Sequence, residues 1–333
     1  MDFRKIAALV VLVLLVAACG VTATDGNGDA TPEVVLEPVE STTTSQPTTT
    51  QTTVPQVDGA FPVTVAAGNG AVTIESRPQA IISLSPTATE MLFAIGAGSQ
   101  VIAVDEYSTY PADAPVTDLS GWIPNIEAIV SYGPDLVVVS NDIDDIVANL
   151  ETLGVQVLVM PAVSTIEGTF EQMEQLGAAV GRPAEATRAT AELRDELDSL
   201  LSSLEGVDPP LTYYHELDPN FFSVTSSTFI GGVYRELGLV NIADPADVDG
   251  FGYPQLSVEF IVDADPDLIF VTDCCGESIE TISARPGWGS ISAVQTGSIV
   301  VVDDDIASRW GPRTVEYLQA VAAAIATLAV AGG

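Results

Sequence analysis

Two stretches of this chain follow one local plan. Asn125-Ile126-Glu127-Ala128-Ile129-Val130 precedes Pro134-Asp135-Leu136, and Ser257-Val258-Glu259-Phe260-Ile261-Val262 precedes Pro266-Asp267-Leu268. Each reads as a short helix, a Pro-Asp turn and an apolar strand. The same alternation surrounds both copies. Strand-like runs fall at Ala80–Leu84, Val101–Val104, Leu136–Ser140 and Val155–Met160, and again at Leu211–His215, Leu268–Thr272 and Ser298–Val302. Helical periodicity falls between and after them, at Ile143–Leu153, Phe229–Leu237, Val258–Ala264 and Arg313–Leu328. Thr87 and Glu90 have capping-box spacing, with Pro86 just before, so a helix is expected to begin at Thr87. Mostly continuous apolar strands separated by helices indicate parallel sheets covered on both faces. Between the two series, Glu167–Val180 and Ala184–Leu204 form consecutive helical segments, the second about 30 Å long. The expected fold is α/β, with two similar Rossmann-like lobes over residues 59–163 and 209–333. Linking helices occupy 164–208, where the one long helix Ala184–Leu204 is the rigid strut that joins the lobes, and a ligand cleft lies between the lobes, beyond the carboxyl ends of the strands.

The amino terminus gives an address. Arg4 and Lys5 precede an apolar run from Ile6 to Val16, then Ala17, Ala18 and Cys19. A basic start, an apolar core of about ten residues and a small-residue cleavage site describe an export signal over residues 1–18. The run is shorter than the roughly 20 residues of a membrane-spanning helix. Val-Ala-Ala-Cys resembles a bacterial lipobox, which implies cleavage before Cys19, a lipid on its sulfur and an extracytoplasmic, membrane-anchored protein. Residues 19–58 are rich in Thr and lack aromatics, the composition of a disordered linker. A coil of that length spans roughly 30–35 Å. The formal charge is −36, and the single lysine, Lys5, leaves with the signal. Such acidity disfavours nucleic acid and anionic lipid headgroups as partners. It suits a solvated acidic surface, or steering of a cationic ligand or partner.

Beyond Arg77 the chain resembles the substrate-binding lipoproteins that serve ABC importers of iron-siderophores, haem and vitamin B12. The resemblance rests on Ile81-Ile82-Ser83-Leu84-Ser85-Pro86-Thr87-Ala88-Thr89-Glu90, Tyr107-Ser108-Thr109-Tyr110-Pro111, Gly121-Trp122 leading to Glu127, Phe229-Ile230-Gly231-Gly232, Tyr253-Pro254-Gln255-Leu256-Ser257 and Gly311-Pro312-Arg313. It implies a class III periplasmic-binding-protein-like architecture and no catalytic role. The vitamin B12-binding branch is most similar, and that likeness places Tyr110, Trp122 and Tyr253 against a corrin. Tyr253 stands where that branch carries Trp, and Ser140 replaces another cleft Trp, so a related corrinoid, haem or a ferric siderophore stays open. The resemblance also implies that Glu127 and Glu259, one per lobe, dock the transmembrane permease. The alternative for each is an acid favoured by the positive end of a helix dipole.

Other candidates come from position alone. His215 is the only histidine. It closes a strand beside Glu216 and is expected to face the cleft, as an axial ligand to haem iron or corrin cobalt or as a pocket-lining group with Glu216. Arg309 follows the last strand and the acidic run Asp303-Asp304-Asp305. It either binds a ligand carboxylate, phosphate or catecholate or forms a salt bridge with that run. Trp310 reads as a packing residue and Arg313 as a cap on the final helix. Cys274 and Cys275 follow a strand end, and either a vicinal disulfide or a reduced pair fits there. No cofactor is expected beyond the cobalt or iron of a ligand, and the protein is expected to act as a monomer. The rival classes are an exported metal-dependent hydrolase and a sensor domain. A single histidine and the lack of a Ser–His–acid set weigh against the first.

Overall fold

The computed structural model describes residues 60–204, 210–273 and 277–331. The expectations for the export signal, Cys19, the linker, Cys274 and Cys275 lie outside them.

The described chain opens with an antiparallel hairpin, β1 (Val63–Ala67) and β2 (Gly70–Ile74). Two four-stranded parallel sheets follow. The first holds β3 (Ile81–Leu84), β4 (Val101–Val104), β5 (Leu136–Val139) and β6 (Gln156–Val159) in the order β4-β3-β5-β6. The second holds β7 (Thr212–Glu216), β8 (Val240–Asn241), β9 (Leu268–Thr272) and β10 (Ile299–Val302) in the order β10-β9-β7-β8. Counted within each sheet, the strand order is the same. The first strand lies inside, the second returns on one side and the third and fourth extend the other. The repeat read in the sequence is thus a repeat of topology. Its Pro-Asp turns do the same work twice. The Asp135 carboxylate accepts the backbone N–H of Gln79 and Ala80 at 2.8 and 3.1 Å, just before β3. The Asp267 carboxylate accepts that of Thr212 at 2.8 Å, where β7 begins.

Helices cover the sheets: α1 (Pro86–Ala94), α2 (Ile126–Ser131) and α3 (Ile146–Thr152) on the first, then α4 (Ile166–Ala179) and α5 (Pro183–Ser203) between them. The second carries α6 (Phe229–Glu236), α7 (Val258–Ala264), α8 (Ile279–Ser283), α9 (Ser292–Thr296), α10 (Asp304–Ala307) and α11 (Thr314–Ala331). Successive strand residues serve opposite faces. Ile81, Leu136, Val138 and Leu158 pack towards α1 and α4, while Ile82, Val137, Val139 and Val157 pack towards α2 and α3. In the second sheet, Tyr213, Leu268 and Phe270 meet α6 and α11, and Tyr214, Ile269 and Val271 meet α7 and Trp288.

Two local expectations are corrected. Helix α1 starts at Pro86 and is capped by Ser85, whose hydroxyl accepts the Ala88 N–H. Pro86 has no N–H and a φ already suited to the first turn, so the cap moves to the residue before it. The expected single helix over 143–153 is broken, because Asp144 and Asp145 adopt φ of 52° and 56° and α3 begins only at Ile146.

The halves share their packing. In α4, Ile166 and Phe170 belong to the second core, whereas Met173, Leu176 and Ala179 belong to the first. Helix α5 does the same, with Ala186 at the first core and Leu197 and Leu200 at the second. Arg194 binds α5 to α4 through Glu167 and Glu174 at 2.5 and 3.1 Å. The strut is therefore a pair of crossed-linked helices and not one. At the seam, the Glu90 side chain of α1 is fully buried and accepts from Arg309 Nη1 at 2.9 Å, Arg313 Nε at 3.0 Å and Arg313 Nη2 at 2.6 Å. Gly311 lies between those arginines, and a Cβ there would stand 3.3 Å from Glu90 Oε2.

His215 and Glu216 are corrected too. His215 is fully buried in the second core. Tyr317 donates to Tyr234, which leaves the Tyr234 hydroxyl hydrogen for His215 Nδ1 at 2.7 Å. Burial pulls the imidazole pKa down to about 3, because a charged ring would lose its hydration. Glu216 is bound fork to fork by Arg285, at 2.6 and 2.7 Å. The Arg285 guanidinium lies over Trp288 at 4.6 Å.

Two outcomes follow from these buried charges. Glu90→Gln leaves two guanidiniums against a neutral amide and should lower the unfolding free energy in urea by about 3–5 kcal/mol. A loss below about 1 kcal/mol would mean the contact is not a buried ionic tie. The unfolded chain protonates His215 near pH 6.5 and the folded chain only near pH 3. Stability should therefore fall by about 1.4 kcal/mol for each pH unit by which the pH is lowered through that window, from this group alone. His215→Asn should make the acid limb of the stability profile shallower by that slope, and parallel profiles would contradict the assignment.

Candidate functional site

The carboxyl ends of both sheets open into two neighbouring cavities where the halves meet. The first, of about 370 Å³, is lined after β3 by Ser85 and Thr87, after β4 by Asp105 and Tyr107, after β5 by Ser140 and Asn141, and after β10 by Asp304, Asp305, Ser308 and Arg309. The second, of about 600 Å³, is lined by Val163, Leu217, Thr228, Phe229, Phe251 and Tyr253. Ser308 and Trp310 line both. Trp310 also packs against both cores and donates its Nε1–H to Gln172 at 3.0 Å, so it fixes the floor where the cavities join. Parallel sheets leave such crevices at their carboxyl ends, where the connections diverge.

Large aromatic rings stand open around these cavities. Trp122 is 68% exposed and Tyr253 53%. Gly121 sets the Trp122 loop. A Cβ at Gly121 would lie 2.4 Å from the Leu84 carbonyl oxygen and 3.3 Å from Asp105 Oδ2, so a side chain there would push the loop off the strand end. Trp122 and Tyr253 thus reach the cavity walls, one from each half. Tyr110 does not line either cavity; the Arg313 guanidinium lies 4.3 Å from its ring centre. Tyr107, three residues earlier and nearer the end of β4, takes the wall position. Phe251, 80% exposed, is a further ring at the wall, in a loop with no motif or periodicity to mark it. Its loop is held by Asp247, which accepts the N–H groups of Phe251 and Gly252 at 3.0 and 2.8 Å.

Arg309 meets both of its expected settings. It lines the first cavity and also forms the salt bridge with the acidic run, Nη2 to Asp305 Oδ1 at 2.6 Å. Its Nη2 donates to the Tyr107 carbonyl at 3.1 Å as well. His215 and Glu216 are absent from both walls, as their burial requires. Glu127 and Glu259 are exposed, each at the second position of its helix, after N-caps Asn125 and Ser257. Among the described residues, no group of three His, Cys, Asp or Glu side chains is placed to hold a metal.

This arrangement presents flat apolar surface with acceptor groups at its edge, suited to a broad ligand that enters between two like halves. A cobalamin-binding protein of Halobacterium salinarum is 34% identical over 276 residues, covering 79% of this chain and 73% of its own. An uncharacterized ABC transporter substrate-binding lipoprotein of Bacillus subtilis, YvrC, is 29% identical, covering 80% and 86%. The crystal structure of the periplasmic vitamin B12 binding protein BtuF of Vibrio cholerae superposes with a TM-score of 0.62 at 25% identity, over 75% of this chain and 97% of that one. Residues 81–306 match the periplasmic binding protein family, and the chain belongs to that family.

Proposed function

We propose that this protein captures a corrinoid outside the cytoplasm and delivers it to the permease of an ABC importer. The observation that carries the reading is the pair of joined cavities at the carboxyl ends of two like sheets, with Trp122 and Tyr107 contributed by one half and Phe251 and Tyr253 by the other. Exposed rings grouped around one cleft mark a binding surface. A corrin is broad, partly apolar and rimmed by polar groups, and it would cover them. The printed functions of the Halobacterium and Vibrio relatives support the same ligand class. Cys19 is read as the lipid anchor, and the named lipoprotein relative supports that. Glu127 and Glu259 are read as the permease contacts. They stand at equivalent, exposed positions of α2 and α7, so two like basic sites on a permease could bind both halves at once. Rim charges of this type chiefly set encounter and orientation.

Titrating cobalamin into the full-length chain in detergent should quench tryptophan fluorescence saturably, with micromolar affinity or better. Absence of quenching, with haem or a ferric siderophore binding instead, would overturn the corrinoid reading. Trp122→Ala should weaken cobalamin by about 10- to 100-fold, while Tyr132→Ala, away from the cleft walls, leaves it intact. Reversing both Glu127 and Glu259 to Arg should abolish uptake in cells and leave cobalamin affinity unchanged. Normal uptake by that double variant would remove them from the docking surface.

A further inference from the structure

Asp105 is the wall residue whose bonding is incomplete. It follows β4 directly, is 2% exposed and lines the first cavity. Its Oδ1 has no hydrogen-bond partner among the described residues. A carboxylate offers about four acceptor sites and no donor, so a buried one short of donors is costly.

The shortage is built into the surrounding hydroxyls. Ser83 donates to the Ser85 carbonyl at 3.1 Å, and Thr89 donates to Ser83 at 2.9 Å. Thr89 has then spent its only hydrogen, so Ser108, 2.9 Å from it, is the donor in that contact. The neighbouring Ser108 hydroxyl and N–H favour the charged form of the Asp105 carboxyl, while the Ser108 N–H itself donates to the Asp105 backbone carbonyl at 3.2 Å. The carboxylate and Thr89 therefore compete for one hydroxyl hydrogen. Burial pushes the Asp105 carboxyl above its ordinary range in spite of Ser108 and Arg309.

The rest of this wall has the same sign. Asp304 and Asp305 add two more carboxylates. Arg309 is the one cation among the described residues lining the first cavity, and both terminal nitrogens are engaged with Glu90, the Tyr107 carbonyl and Asp305. The cavity thus offers acceptors and keeps its cation occupied. Corrinoids carry primary amides around the ring, each with two N–H donors. Haem and the unamidated corrin acids carry carboxylates.

We propose that the Asp105 carboxylate accepts a ligand amide N–H, and that it selects amide-bearing corrinoids over carboxylate-bearing tetrapyrroles. The proposal rests on the corrinoid reading above. The amide supplies the donor that the fold omits, whereas a carboxylate at the same place would meet three others.

The test compares dicyanocobinamide, with its amides, and dicyanocobyrinic acid, with carboxylates in their place, by calorimetric titration of the full-length chain. The wild type should bind the amide form at least about 100-fold more tightly. Asp105→Ala should lose about 10- to 100-fold of the amide form's affinity. Asp105→Asn, which keeps size and fold, should gain affinity for the acid and narrow the ratio. Thermal melts of both variants establish that they are folded. If the wild type binds the amide form and both variants keep its affinity and the ratio within about twofold, the role of Asp105 is overturned and the corrinoid function stands. If the wild type binds neither form, the corrinoid function falls and this proposal falls with it.

Discussion

The structure turns on one buried carboxylate. Glu90 comes from the first helix of the first sheet, and Arg309 and Arg313 come from the segment joining the last strand of the second sheet to its final helix. A charge taken out of water must be paired and fully hydrogen-bonded, or the fold does not tolerate it. The tie therefore holds only while the two halves keep their relation at the seam. Trp310, between the two arginines, is locked in the same place and forms the floor of both cavities. Helices α4 and α5 carry one core into the other on the far side. With three such links, closure about the ligand is limited to small adjustments. A pre-formed cleft loses little binding energy to ordering.

Duplication explains how the cleft acquires its symmetry of parts. Asp135 and Asp267 both pin the start of a central strand, and α2 and α7 both begin with a polar cap and an exposed glutamate. The halves then diverge at the carboxyl ends of their strands, where the connections are free to vary. One presents Trp122, Tyr107 and a wall of hydroxyls ending in Asp105. The other presents Phe251 and Tyr253 on a loop tied by Asp247.

Periodicity made the strands, most helices and the repeated unit legible, because each depends on residues close in sequence. The fold class followed from strands apolar on both faces. The misreadings share a different cause. His215 looks like a cleft residue because it ends a strand, but its ring is bonded by Tyr234 of α6, which is in turn bonded by Tyr317 of α11. Glu216 is taken by Arg285, and Glu90, read as a helix cap, by Arg309 and Arg313. Pairings between residues so far apart leave no local trace. Tyr107 and Tyr110 sit in one motif, and the wall position goes to Tyr107 because it is nearer the end of β4. Phe251 lies in a loop held by the Asp247 carboxylate and by the Thr225 N–H on the Gly252 carbonyl, and nothing in its neighbourhood is periodic.

The most direct measurement is a crystal structure of the chain grown with cobalamin. The account predicts the corrin between the two halves, in contact with Trp122 and with Phe251 or Tyr253, with the Glu90 tie unbroken. A ligand bound elsewhere, or a cleft that opens Glu90 from Arg309 and Arg313 to admit it, would contradict it.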